Sequence, residues 1–271
     1  MSTLRSKKRL LCLTIPQPDR PTELPESEAE HATRVLRLRD GDHVEALDGH
    51  GRSAEVILRV RGGSVRLEYA GEAGTSKIPI PDFTLEMAIL KGDAMEWVVE
   101  KSVELGVKTL IPVMTDHTVV QIKQKGPEVF QQRWQKIADQ ALKQCGRLDR
   151  LEIELPIDLE ELLVRQASSE KTPRLWCDEA DRDETPELLD WFIQKTIPVS
   201  TATSSLQGAR LLIGPEGGWS QQERELLSRS SPHLIRLSLG PWVLRAETAA
   251  ISSIGLITAF LRRNQQQGLL A

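Results

Sequence analysis

The stretch ARLLIGPEGGWS, Ala209 to Ser220, decides the fold. Leu211 to Ile213 read as a short apolar strand, Gly214, Pro215, Gly217 and Gly218 as a turn, and Ser220 as the N-cap of a following helix. A second stretch, LSLGPWVLRAETAA, Leu237 to Ala250, repeats the order of strand, Gly-Pro turn and helix start. The two lie about one β-α-β unit apart, which predicts neighbouring parallel strands whose ends sit side by side. Glycines let a flat ligand approach the backbone, and the freed amides and carbonyls read it without charged side chains, so the pair predicts a cofactor site. Neither turn is a GxGxxG fingerprint or a P-loop, and the cofactor implied is not held by a pyrophosphate grip.

Outward from these turns, strands and helices alternate. FTLEMAIL (Phe83–Leu90), TLIPVM (Thr109–Met114) and RLWCD (Arg174–Asp178) read as strands. DAMEWVVEKSVELG reads as a helix capped by Asp93 and stopped by Gly106; Pro127–Gly146 and Thr248–Leu261 read as two more. This predicts an α/β domain with a doubly wound, mostly parallel sheet and its ligand at the carboxyl ends of the strands. Upstream, from His43 to Tyr69, short alternating runs broken by Asp48-Gly49 and Gly62-Gly63 predict hairpins of a small β-barrel. Before them, SEAEHATRVLRLRDGD reads as one helix from Ser27 to the Gly41 turn, with Val35, Leu36 and Leu38 inward and His31, Arg34 and Arg37 along one polar face. Together with Arg52 and Arg66, those arginines are candidates for meeting phosphates. Gly71 to Asp82 has linker composition, dividing the chain into residues 1–75 and 76–271.

A chain of 271 residues holds one large domain or two ordinary ones, and its formal charge of -4 argues against a surface coated for nucleic acid while leaving room for a local basic patch. Cys12, Cys145 and Cys177 form no metal-ligand spacing and suit a reducing cytosol. No apolar run approaches membrane length and the start MSTLRSKKRL lacks a signal-peptide core, so the expectation is a cytoplasmic protein without membrane or metal partners.

The motifs LLIGPEGGWS and LGPWVLRAETA, supported by KGDAMEWVVEKSVELGV, KQCGR and HATRVLRLRDGD, resemble the small-subunit ribosomal RNA uridine N3-methyltransferases of the trefoil-knotted SPOUT class, over nearly the whole chain and in order. The resemblance implies a homodimeric enzyme with a PUA-like RNA-binding domain ahead of a knotted methyltransferase domain. It implies S-adenosylmethionine as cofactor, a uridine of 16S ribosomal RNA or the small subunit as substrate, and no DNA partner. Ile213, Leu237, Leu239, Val243 and Leu244 would then wall an adenine pocket, with hydrogen bonds from Gly214, Gly218 and Gly240 and with Pro215 and Gly217 shaping the turn. The apolar final helix, Ile251 to Leu261, would make a dimer interface.

For that reaction, the uridine N3 proton must leave or the anion be stabilised, which asks for a cation near O2 or O4. Arg245, directly after the second turn, is the candidate cation, and Glu247 orients it, binds substrate, accepts the proton, or complements the last helix's dipole. Glu216 orients its loop or faces the sulfonium. Lys91 and Arg147 carry over as RNA contacts beside His31, Arg34 and Arg37. Two departures remove positive charge: Trp242 stands where the family has arginine, and Thr115, Asp116, His117 and Thr118 replace a T-E-R-S run. Trp242 would exchange a phosphate contact for base stacking. The alternatives are a non-catalytic RNA-binding protein of the same fold or a SPOUT enzyme acting on another RNA atom; the missing fingerprint counts against an oxidoreductase.

Overall fold

The computed structural model describes residues 8–76, 78–165, 172–180, 184–196, 206, 208–230 and 234–268. It consists of two units, Met1–Pro79 with Ala138–Arg150, and Ile80–Ile137 with Leu151–Ala271.

The first unit is built on a mixed half-barrel of β1 (Arg9–Leu11), β2 (Thr22–Glu23), β3 (His43–Leu47), β4 (Arg52–Arg61) and β5 (Ser64–Thr75), in the order β1-β3-β4-β5-β2. Only β1 runs parallel to its neighbour. Gly62 and Gly63, at φ +56° and +86°, supply the two left-handed residues that a tight β4-β5 hairpin demands. Alternate residues Val44, Ala46, Val56, Leu58 and Leu67 pack with Leu10, Ala32 and Leu38 into one core. Because β5 continues to Thr75, the first residues of the presumed linker are sheet.

The helix expected from Ser27 to Gly41 is shorter. It comprises α1 (Glu26–Glu30), without a side-chain cap, and a π-helical turn over His31–Val35, where Leu36 N–H donates to His31 O at 3.0 Å. The wider turn breaks the three-residue register: Val35 is exposed, and Arg37 lies past the helix at φ +52°. His31, Arg34 and Arg37 therefore do not form one helical face.

The second unit is a parallel sheet of β6 (Asp82–Ala88), β7 (Thr109–Met114), β8 (Glu152–Ile153), β9 (Ile157–Asp158), β10 (Arg174–Cys177), β11 (Gly208–Ile213) and β12 (Leu234–Leu237). The order is β12-β10-β11-β6-β7-β8, with β9 also beside β7. Its helices include α2 (Asp93–Leu105), α3 (Ile122–Lys125), α5 (Leu159–Arg165), α6 (Leu188–Thr196), α7 (Gln221–Ser230) and α8 (Ala246–Gly268), and α4 (Pro127–Cys145) belongs to it up to Ile137 and to the first unit from Ala138. Gly92 rather than Asp93 precedes α2 as its N-cap, and Gly106, left-handed at φ +91°, ends it.

The strands that lead into the two glycine turns are not neighbours. β10 lies between β11 and β12 and pairs with both, Cys177 standing opposite Ile213 on one side and Leu237 on the other. The chain leaving β12 is held between two segments: Leu237 O accepts from Asp178 N–H at 3.2 Å, Ser238 N–H donates to Pro186 O and Leu188 N–H to Ser238 O, both at 3.0 Å. The end of β12 is thereby fastened to the end of β10 and to the segment that opens α6, an arrangement in keeping with the trefoil-knotted fold expected from the sequence. In α8, Ile254, Ile257 and Leu261 are fully buried in a helix that packs on α2, α6, β6 and β11, while Ile251, Leu256 and Phe260 of the stretch expected to make a dimer interface are half-buried.

Candidate active site

The first turn is shaped by its glycines. A Cβ on Gly214 would lie 2.9 Å from Trp219 Cε2, and one on Gly218, which sits at φ +69°, would lie 2.2 Å from Glu179 Oε1. Trp219 is buried, and its Nε1–H donates to Cys177 O at 3.0 Å, tying the turn to the end of β10. Ser220 and Glu223 form a reciprocal capping box: Glu223 N–H donates to Ser220 Oγ at 3.1 Å, and Ser220 N–H to Glu223 Oε2 at 2.9 Å. The other oxygen of Glu223 accepts Asp116 N–H at 2.9 Å. His117 Nδ1 stands 2.8 Å from Gly218 O, and since a carbonyl only accepts, that nitrogen carries the proton. The Thr115 to Thr118 departure is thus fastened to the glycine turn.

The two turns and the end of β10 enclose a cleft of about 610 Å³. On its wall stand Ile213, Gly214, Pro215, Glu216, Gly217 and Gly218 from the first turn, and Leu239, Gly240, Trp242, Val243, Leu244, Arg245 and Glu247 from the second. Leu237, expected among them, is fully buried and does not line the cleft. Ala94, Cys177, Asp178 and Glu179 line it and were not foreseen, because RLWCD reads as an ordinary core strand until β10 is known to run between the turns. Burial pushes the Cys177 thiol up to about 12, with the neighbouring Asp178 charge adding to the effect and the nearby Ser253 hydroxyl only partly offsetting it, so it stays protonated. Asp178 is buried and bridged by Arg224 Nε at 3.2 Å and Arg236 Nη2 at 2.6 Å.

The RNA methyltransferase domain family matches residues 76–258, most of the chain and all of this cleft. The chain belongs to that family. An RNA methyltransferase PUA domain matches residues 24–61. The ribosomal RNA small subunit methyltransferase E of Bacillus subtilis is 29% identical over 248 residues, 88% of this chain and 91% of that protein. The crystal structure of a ribosomal RNA small subunit methyltransferase E from Neisseria gonorrhoeae, bound to S-adenosyl methionine, superposes with a TM-score of 0.76 at 25% identity, over 93% of this chain and 97% of that one. A Legionella pneumophila protein in complex with the cofactor SAM reaches 0.78 at 29% identity over the same shares.

In this RNA methyltransferase the charged residues of the cleft are in different states. Glu216 Oε1 accepts the backbone N–H of Lys91 at 3.0 Å, which favours its role in orienting the loop. Arg245 is exposed and Glu247 half-buried in the first turn of α8, and neither forms an ion pair among the described residues. Trp242 is 78% exposed at the same wall. Apolar walls, backbone donors and acceptors and an uncommitted guanidinium suit a flat heteroaromatic next to a group that gains negative charge.

The remaining RNA candidates divide between the units. Lys91 is an exposed residue of the second. His31, Arg34, Arg37 and Arg147 belong to the first, where Arg147 is half-buried beyond α4. Burial and the nearby Lys143 hold the His31 imidazole below its ordinary value despite Glu28, so at neutral pH it offers a neutral ring rather than a charge. Arg34, Arg52 and Arg66 pair with Glu30, Asp48 and Glu23. Arg37 has no ion pair among the described residues.

Proposed function

We propose that this chain transfers a methyl group from S-adenosylmethionine to N3 of a uridine in 16S ribosomal RNA of the small subunit. The observation that carries the reading is the uncommitted Arg245 guanidinium on the wall of a cleft built by two glycine turns. The cleft's volume, about 610 Å³, suits a nucleoside cofactor, as do its apolar wall and the backbone groups of its two glycine turns. When bound, that cofactor supplies an electrophilic methyl group. The cofactor-binding assignments to residues 213–218, 239, 240, 243 and 244 stand as part of the reading; Leu237, buried and away from the cleft, is not among them.

Arg245 stabilises the negative charge that spreads onto O2 and O4 as the N3 proton departs, and it does so at any working pH. Glu247, two residues on, orients that guanidinium or takes the proton. Trp242 stacks on a base, and Lys91, Arg147, His31, Arg34 and Arg37 contact RNA, with residues 1–75 serving RNA binding and 76–271 catalysis. The protein acts in the cytoplasm as a homodimer. Among the described residues no helix is long and apolar enough to cross a membrane.

The test is incubation with labelled S-adenosylmethionine and unmethylated small-subunit RNA or subunits, followed by nucleoside mass spectrometry. Label in 3-methyluridine supports the reading; label in another nucleoside refutes the target atom.

A further inference from the structure

The acidic end of β10 occupies the cleft between the two turns without a part in the roles assigned above. Its two carboxylates differ. Asp178 is buried and consumed by Arg224 and Arg236. The Glu179 side chain is 38% exposed and lines the cleft. Its Oε1 takes Arg224 Nη2 at 2.5 Å, and its Oε2 has no hydrogen-bond partner among the described residues.

Two features fix this carboxylate. Arg224 is itself held, donating to Trp219 O at 2.5 Å and to Asp178 Oδ1 at 3.2 Å, so the guanidinium presents a set fork to Glu179. On the other side Gly218 has no side chain to keep the carboxylate off the turn, and a Cβ there would meet Glu179 Oε1 at 2.2 Å. The site therefore spends a left-handed glycine to bring an acid against the backbone that lines the cleft.

The kind of group such an acid takes follows from its charge state. A carboxylate offers about four acceptor positions, and Arg224 occupies only part of them. Its negative charge is already balanced by that guanidinium, so what remains suits neutral O–H donors better than a second cation. The vicinal hydroxyls of a ribose are such donors, and acids beside glycine turns of nucleotide-binding sheets serve them in general. Resting on the cofactor reading above, we propose that Glu179 accepts hydrogen bonds from the ribose hydroxyls of the nucleoside cofactor, with Gly218 making room for it.

Calorimetric titration of the full chain with S-adenosylhomocysteine and its 2′-deoxy and 3′-deoxy analogues tests this. In the parent protein, loss of a hydroxyl bound to the carboxylate lowers affinity about 10- to 100-fold, as for hydrogen bonds to charged groups. In Glu179→Ala that penalty falls to within about threefold, and in Glu179→Gln it is intermediate, the ratio between ligands being the signature of a direct contact. A Glu179→Ala protein that weakens all three ligands equally, keeping the parental ratio, overturns the assignment, as does a parent that does not discriminate. If the alanine variant does not fold, the glutamine variant decides by the same ratio. Absence of any S-adenosylhomocysteine binding by the parent instead refutes the cofactor reading, and the assignment with it.

Discussion

Trp219 occupies the space that a side chain on Gly214 would need, its Cε2 lying 2.9 Å from where that Cβ would be while its Nε1 is bonded to Cys177 O at 3.0 Å. One buried ring thus ties the strand before the first turn, the turn itself and the end of β10 into a single block.

Gly214→Ala must displace this ring, and Trp219→Phe leaves the Cys177 carbonyl without its donor at a cost of about 1–3 kcal/mol. In urea titrations both variants lose stability. Their double mutant loses less than the sum, because displacing the ring and removing its N–H break the same contact. Strict additivity would show that the two residues do not share it.

Asp48 makes acid stability of the first unit titratable. Burial pushes its carboxyl up, but the His50 N–H, the Arg52 side chain and N–H, and the Arg52 charge together outweigh this and hold it below its ordinary range. A lowered carboxyl stabilises the fold above its unfolded value and loses that contribution as pH falls through the folded one. The stability difference between the parent and Asp48→Asn is therefore level above about pH 4 and shrinks below it. Thermal melts across pH 2.5 to 7 measure it; a difference that grows on acidification contradicts the assignment.

How much of this was legible in the sequence depends on where each signal lay. The glycine turns and the parallel α/β pattern were legible because they are local: Gly-Pro punctuation and period-based runs lie within a few residues. The order of the strands was not, since nothing in RLWCD or the two motifs says that β10 enters between β11 and β12. That insertion moves Asp178 and Glu179 from an ordinary strand end into the cleft and turns Leu237 away from it. The helix at Ser27 failed for a different reason: its hydrophobic spacing fits an α-helix, but a π-turn at His31–Val35 adds a residue per turn and sends Val35 outward.

Trp242 has no structural work that its 78% exposure would reveal, so Trp242→Ala leaves the melting temperature unchanged. Loss of base stacking weakens RNA binding by about 1–3 kcal/mol. Filter binding with unmethylated small-subunit RNA reads this directly, and Trp242→Phe restores part of it. Unchanged RNA affinity in Trp242→Ala removes the tryptophan from the RNA surface.

The most direct measurement is the single-turnover rate of methyl transfer to small-subunit RNA by Arg245→Ala, taken beside its affinity for S-adenosylhomocysteine. With the guanidinium gone, the rate falls about 10²- to 10³-fold, as when one preorganised donor to a developing anion is removed. Cofactor affinity stays within about threefold, because the lost interaction forms only in the transition state. A variant that transfers the methyl group at the parental rate contradicts the account.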